Sequence, residues 1–325
     1  MGLIMQLVSL LFRGTALMLG LVGLAFATAC LGGVVSDRLD ALSHFAPLWL
    51  AFGLGAVVLG LIWARRAERW AIVGLGLATV AACGVLMGPE LWAASQFKPV
   101  ATRPGDLKIV QFNAWHDNRT PRKTLRWLLD QDADVVILEE GGGTSAWVVA
   151  ALRGYYPFSV SCDGKRACDT WIFSRKRMVA RGGMYRDGQR FAGVWATLAD
   201  PKGDFSVVGA HYVWPVPAGP QQAQVRLLAK AVDRFDRQNL IVTGDFNSTP
   251  WSFTLKRQDG ALGIPRRTLA VPSWPAGKFS RLLNAPLPFL PIDHVYAGPQ
   301  WKTVRVQRGP SLGSDHYPIV VTLRR

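Results

Sequence analysis

Three nearly uncharged apolar runs open the chain: Gly14 to Val35, Ala46 to Ala64, and Trp70 to about Met87. Each is roughly the ~20 residues needed to cross a ~30 Å hydrocarbon core. Helices buried in a soluble core are the alternative, and three closely spaced runs of this length speak against it. Trp49, Trp63, Trp70 and Trp92 lie near the run ends, where aromatic belts form. The segment Arg65-Arg-Ala-Glu-Arg69 concentrates basic charge between the second and third runs, and the positive-inside rule makes it cytoplasmic. Ser36 to Phe45 carries one arginine and two aspartates and suits the outer side. A multi-pass protein of the inner (plasma) membrane is expected, with residues 94–325 periplasmic. Ala27-Thr-Ala29 resembles a signal-peptide cleavage site. The single Arg13 and the long apolar run fit a retained helix better, and cleavage would leave the C-terminal part outside.

The formal net charge is +15. The first 93 residues hold five basic groups (Arg13, Arg38, Arg65, Arg66, Arg69) and four acids (Asp37, Asp40, Glu68, Glu90), so +14 of it lies beyond them. That excess favours anionic partners, nucleic acid or a lipid surface, without choosing between them. Ala94 to Asp106 has two prolines, a glycine and no apolar period, and reads as a linker. The expected division is a membrane domain over 1–93, a linker over 94–106 and one domain over 107–325.

In that last domain, Leu107–Asn113 alternates as a strand does, and Asp134–Glu140 is a continuous apolar strand ending in two acids before three glycines. Trp171–Arg175 and Phe205–His211 read as strands. Helices are expected from Arg122 to Gln131 and from Gln221 to about Asp236, where Val225, Leu228, Val232 and Phe235 fall at core spacing. Leu290–Tyr296 and Gly313–Leu323 close the chain. Strands and helices mix without strict βαβ alternation, which points to an α/β sandwich of two packed sheets with helices outside.

The strand ends carry the chemistry. Leu240-Ile-Val-Thr-Gly-Asp-Phe-Asn247 runs apolar chain into a glycine and then sets an acid and an amide two apart. Strand alternation continued past Gly244 would put Asp245 and Asn247 on one face, with Pro250 ending the strand. Gly244 leaves room for a close approach to the backbone. An Asx turn is the plainer reading of the same residues. Polar groups recur, however, at the ends of other strands: Asn113, Glu140, His211, Asp293, and the pair Asp315-His316. A core has no need of a carboxylate at each strand end, and burying one unpaired costs several kcal/mol. Together these oxygens and two histidines make a site for a hard cation.

Phe-Asn-Ala-Trp (112–115), Leu-Glu-Glu (138–140), Gly-Ala-His-Tyr (209–212), Gly-Asp-Phe-Asn (244–247), Ile-Asp-His (292–294) and Ser-Asp-His-Tyr-Pro-Ile (314–319) occur in the order seen in one family. Over about residues 107–325 the chain resembles the endonuclease/exonuclease/phosphatase family, whose fold is that of pancreatic deoxyribonuclease, the apurinic endonucleases, the neutral sphingomyelinases and the inositol-polyphosphate 5-phosphatases. The resemblance implies a four-layered α/β sandwich behind three transmembrane helices, and cleavage of a phosphate ester with Mg²⁺, for which Mn²⁺ can substitute. It implies Glu140 as metal ligand with Asn113 beside it and Asp315 next to the metal. Asp245 would orient or deprotonate the attacking water, Asn247 and His211 would donate to phosphoryl oxygens, and Asp293 would orient His316. Whether the histidine or an aspartate is the base stays open. Glu139 stands where the family often has glutamine, so a second ligand there is not favoured. His211 resembles the deoxyribonuclease and sphingomyelinase branches rather than the abasic-site enzymes. A membrane-anchored phosphodiesterase or nuclease is expected, with a lipid head-group phosphatase or phospholipase as the alternative and a binding platform without activity as the least favoured. The expected partners are nucleic acid or anionic lipid head groups and the bilayer itself, with no protein partner.

Cys30 and Cys83 fall within the apolar runs. Cys162 and Cys168 flank Asp163-Gly-Lys-Arg-Ala167, whose Asp-Gly pair signals a turn. A hairpin there would bring the two within the ~4.4–6.8 Å between Cα atoms that a disulfide needs, and outside the membrane they are expected to be joined.

Overall fold

The computed structural model describes residues 2–162, 168–184, 191–278, 284–285 and 287–325. The chain divides into two compact units, one of residues 1–95 with Trp251–Phe253, the other of the remainder.

The first unit is helical: α1 (Gly2–Leu31), α2 (Asp37–Ser43), α3 (Ala46–Trp63) and α4 (Arg66–Gln96). Gly2–Val34, Ala46–Trp63 and Arg66–Gln96 are long and apolar enough to cross a membrane. The outer two helices exceed the apolar runs that announce them. α1 begins twelve residues earlier than expected, because residues 2–12 are themselves mostly apolar and Arg13 is neutralised where it stands: its Nε donates to Glu68 Oε1 at 2.9 Å. α4 continues through Pro89 to Gln96. Small residues let α3 and α4 approach closely. A Cβ on Gly53 would lie 2.9 Å from Gly76 O, and one on Gly76 would lie 2.7 Å from Gly53 O. Such contacts hold helices together where lipid removes any hydrophobic drive for association.

In the second unit, β1 (Leu107–Asn113), α5 (Pro121–Asp130), β2 (Val135–Glu139), α6 (Ala146–Tyr155), β3 (Phe158–Ser161) and β4 (Trp171–Ser174) are followed by β5 (Met178–Gly183), β6 (Ala192–Leu198) and β7 (Phe205–His211). Then come α7 (Pro220–Val232), β8 (Ile241–Asp245), α8 (Phe253–Leu262), a small β9–β10 pair (Gly277–Lys278, Asn284–Ala285), β11 (Asp293–Ala297), β12 (Lys302–Arg308) and β13 (Ile319–Arg324). One sheet runs β12-β13-β1-β2-β4-β3 and the other β11-β8-β7-β6-β5.

Alternation along these strands builds four layers. Ile109, Ile137, Ile172 and Val321 of the first sheet meet Val194, Val207, Ile241 and Val295 of the second in a core between the sheets. Val110, Phe112, Val136 and Leu138 face the other way and pack on Leu128 of α5 and Val148 and Leu152 of α6. Val208 and Val242 pack on Val225, Leu228 and Val232 of α7 and Leu255 of α8. The order is helices, sheet, sheet, helices, the expected α/β sandwich.

Local departures have local causes. The final strand begins at Ile319, so Asp315 and His316 stand on the loop before it rather than inside a strand from Gly313. β11 begins at Asp293, after the Pro291 that denies a ladder donor. Of the expected linker, Ala94–Gln96 continue α4. Val100 N–H donates to Val304 O of β12, and Arg324 binds the Asp106 carboxylate at 2.6 and 2.7 Å. Cys162 and Cys168 form a disulfide with Cα atoms 5.6 Å apart. The turn expected at Asp163-Gly164 lies outside the described residues.

Candidate active site

Asn113, Glu139, His211, Asp245 and Asp293 keep the parity of the inter-sheet core on their strands. Each follows Ile109, Ile137, Val207, Ile241 or precedes Val295 by an even number of positions. The polar cluster is therefore the inter-sheet layer continued past its apolar part. Pairing sets the neighbours: Asn113 is opposite Glu139 across β1 and β2, and Asp293 is opposite Asp245 across β11 and β8.

Asp245 and Asn247 are brought together by a turn, not by continued strand. β8 stops at Asp245, Asn247 has φ 47°, and its N–H donates to Asp245 Oδ1 at 2.9 Å. The Asx turn and the site are thus one structure. Gly244 is required because a Cβ would lie 1.8 Å from Ala210 O on β7. The close approach is that of the neighbouring strand, and it brings the ends of β7 and β8, with His211 and Asp245, side by side.

Asp245 Oδ2 is the focus. Asn113 Nδ2 donates to it at 3.0 Å, His316 Nε2 lies at 3.5 Å, Asn247 Nδ2 at 3.5 Å and His211 Nε2 at 3.7 Å. Glu140 Oε1 accepts from Asn113 Nδ2 at 3.0 Å and lies 3.8 Å from His211 Nε2. Asn113 Oδ1 accepts from Trp115 N–H at 3.0 Å, which fixes the amide with its NH₂ towards the two carboxylates. Asn113 therefore meets the cluster through nitrogen, spacing Glu140 and Asp245, and would need to turn its amide to offer oxygen to a cation. Glu140 has φ 51°, a left-handed conformation rare for a side chain of its size. Asn247 Nδ2 also donates to Tyr212 O at 2.8 Å.

His316 Nδ1 is 2.8 Å from Asp293 Oδ2, and the backbone N–H of His316 donates to Ser314 Oγ at 3.0 Å. Burial pulls the ring's pKa down, but the Asp293 and Asp245 carboxylates outweigh it and hold it well above the usual imidazole value. Burial pushes Asp293 up, and His316 more than reverses that, leaving it below the usual carboxylate range. For Asp245 burial wins over His316, and its carboxyl is pushed up to about 6. Burial also raises Glu140, and His211 together with the Asn113 hydrogen bond brings it below the usual value.

Asp245, Asp293 and His316 form a buried group of metal-ligating residue types. Within it His316 Nδ1 is taken by Asp293, so the ring has only Nε2 left to offer, beside the carboxylate oxygens. Oxygen for a cation is found nearer Glu140. Asp315, whose buried Oδ1 accepts no hydrogen bond among the described residues, feels the charge of Glu140. A buried carboxylate oxygen without a donor, beside a second carboxylate, fits a hard cation.

Several partners are invisible as motifs. Gln111 Nε2 donates to Glu139 Oε2 at 3.0 Å and to Asp293 Oδ1 at 2.7 Å. Burial, and then Asp293 and Asp245, push Glu139 well above the usual carboxylate value, while Gln111 holds its Oε2. Asp169, raised by burial, faces His211 and Glu140. Trp274 Nε1 donates to Asp315 Oδ2 at 3.3 Å. Of these, Glu139 stood in the Leu-Glu-Glu motif, and Gln111 had a weaker signal, standing two before Asn113 on one strand face.

No curated protein matches the sequence. Solved structures do match. Danio rerio TDP2 complexed with a single-strand DNA product is 14% identical, over 68% of this chain and 100% of that one, with a TM-score of 0.54. An endonuclease/exonuclease/phosphatase family protein from Bacteroides thetaiotaomicron is 12% identical, over 68% and 98%, with a TM-score of 0.52. Another from Beutenbergia cavernae is 20% identical, over 67% and 71%, with a TM-score of 0.50. At these identities the likeness is one of fold. Residues 110–316 match the sequence profile of the Endonuclease/Exonuclease/phosphatase family, more than half of the chain. With the motifs, the two-sheet sandwich and that match in agreement, the chain belongs to the endonuclease/exonuclease/phosphatase family of phosphoester hydrolases.

Proposed function

We propose that this protein is a membrane-anchored phosphodiesterase of nuclease type, dependent on Mg²⁺ with Mn²⁺ able to replace it. The convergence of Asn113, His211, Asn247 and His316 nitrogens on Asp245 Oδ2, beside Glu140, carries the reading. Glu140 and Asp315 would hold the cation, with Asn113 next to them. A cation held there would neutralise the phosphate and make a water easier to deprotonate.

The chain's own residues supply the rest. Asp245 takes the proton of the attacking water, because its carboxyl is raised to about 6 and so accepts a proton near neutrality. His316 is the weaker candidate for base, being held protonated between two carboxylates. As a cation it donates instead, and Asp293 orients it. His211 donates to the phosphoryl oxygens as charge develops. Asn247 joins it by giving up its 3.5 Å contact with Asp245, while Tyr212 O keeps the amide in place.

The membrane domain over 1–93 anchors the catalytic domain over 107–325 through 94–106. The basic charge of Arg65, Arg66 and Arg69 favours a cytoplasmic loop, and with it a catalytic domain outside the inner membrane. The Cys162–Cys168 disulfide suits that oxidising side.

A second reading, cleavage of lipid head groups, is favoured by one observation. Trp214, Val216, Leu287 and Phe289 are 58, 67, 72 and 39% exposed. Trp214 stands edge-on to Trp274 at 5.8 Å, and Trp274 donates to Asp315. Valine and leucine do not stack on bases but do enter a bilayer.

Full-length protein in detergent, offered DNA, RNA, bis-p-nitrophenyl phosphate and phospholipid vesicles, tests both readings. EDTA should abolish hydrolysis, and Mg²⁺ or Mn²⁺ should restore it. Glu140→Ala should be folded and inactive, whereas full activity in chelator would end the metal reading. Under the lipid reading Trp214→Ala slows vesicle hydrolysis and spares the soluble diester.

A further inference from the structure

The helical unit holds a cavity of about 240 Å³ where α3 gives way to α4. Gln6 and Ser9 of α1, Trp63 of α3, and Arg65 and Arg69 line it. The Trp63 ring is stacked on Phe12 with centroids 4.8 Å apart, so this wall is set by packing. Arg69 Nε donates to Ala64 O at 3.0 Å, which turns its guanidinium across the chain reversal. Glu68, the acid of the same segment, is taken by Arg13. No ion pair neutralises Arg65 or Arg69 among the described residues.

Two guanidiniums, which only donate, stand with an amide and a hydroxyl that can also donate, so donors and positive charge predominate in the lining. Donor-rich, cationic and small, the space suits a phosphate anion. Met5 and Ile62 also line it and are largely exposed, which gives the rim an apolar side. Basic pockets between membrane helices at the cytoplasmic end take anionic head groups for this reason. We infer that this cavity of the helical unit binds the phosphate head group of an anionic membrane lipid, independently of the catalytic reaction. The inference uses the reading of these helices as membrane spans and not the reading of the active site.

The test uses full-length protein in a neutral detergent, mixed with phosphatidylglycerol or phosphatidylcholine, with retained lipid counted by native mass spectrometry. Phosphatidylglycerol should be retained about fivefold or more over phosphatidylcholine, the gain expected from a single well-placed arginine. Arg65→Gln should remove most of that preference, and it leaves the Arg69–Ala64 hydrogen bond in place. Arg66→Gln removes the same charge from the same segment but outside the lining, and should keep the preference. Displacement of the lipid by millimolar inorganic phosphate would assign the anion site to a soluble phosphate instead. Equal retention of the two lipids, or equal losses in Arg65→Gln and Arg66→Gln, would overturn the inference, since general attraction to basic charge would then suffice.

Discussion

The layer between the sheets has two ends of opposite character. In its middle Ile109, Ile137, Ile241 and Val295 are fully buried and apolar. A few residues along, on the same strands and faces, Gln111, Glu139, Asp245 and Asp293 are almost as fully buried and polar. Position on a strand decides which way a side chain points, and it does so equally for both ends. What differs is the condition for being there. The apolar half gains by leaving water, about 25 cal/mol per Å², and asks nothing of its neighbours in return. Each group of the polar half must find a partner or stay neutral. Hence Gln111 serves two acids, Asp293 leans on His316, and burial pushes Glu139 towards its neutral form. The apolar half sets the geometry that the polar half uses.

Substitution can break that contrast. The largest effect on turnover is expected at the focus. Asp245→Asn should lower hydrolysis of bis-p-nitrophenyl phosphate about 10³–10⁴-fold, as loss of a general base does. Its thermal midpoint should stay close to that of the wild type, because the lost hydrogen bonds are offset by removing a carboxylate that the fold resists ionising. A large drop in stability with little loss of turnover would make Asp245 a structural residue.

A smaller loss of turnover, about 10²-fold, is expected for Asp293→Asn. Here stability depends on pH in a definite way. The raised His316 value gives stability that is complete below the unfolded imidazole value, ~6.5, and is lost as pH rises through the folded one. The lowered Asp293 value gives stability that is present above ~3.9 and is lost as pH falls through the folded one. Measured in EDTA, the gap in thermal midpoint between wild type and Asp293→Asn should be widest at roughly pH 4–6.5 and narrow on both sides. A gap independent of pH would dissolve the pair.

Smallest for turnover is Ile137→Ala, two positions before Glu139. It should cost about 2–5 kcal/mol of stability by chemical denaturation and leave the rate per folded molecule unchanged. A strong rate loss there would mean that the two halves are not separable.

The sandwich was legible because its central strands are apolar and end in polar residues that the family motifs share. The edge strands β5 and β12 were not, since β5 has no buried position and β12 only Val304, leaving no clean alternation to read. α6, Ala-Trp-Val-Val-Ala-Ala-Leu-Arg-Gly-Tyr, carries its apolar residues too densely for a clear helical stripe. The site residues were legible one strand end at a time, and what joins them was not. Asp245 and Asn247 are partners through a turn where alternation suggested a face. Asp169 and Trp274 reach the site from loops whose sequence carries no sign of it.

Val100 reaches Val304 on the edge strand β12, and Asp106 is clamped by Arg324. An open edge is a template on which a second chain can add itself. The segment before β1 is thus a guard on that edge, and where a fragment of the second unit is cut decides how it behaves. A fragment starting near residue 97 carries its guard with it. One starting at Leu107 bares the edge of a six-stranded sheet and should self-associate, however intact its active site.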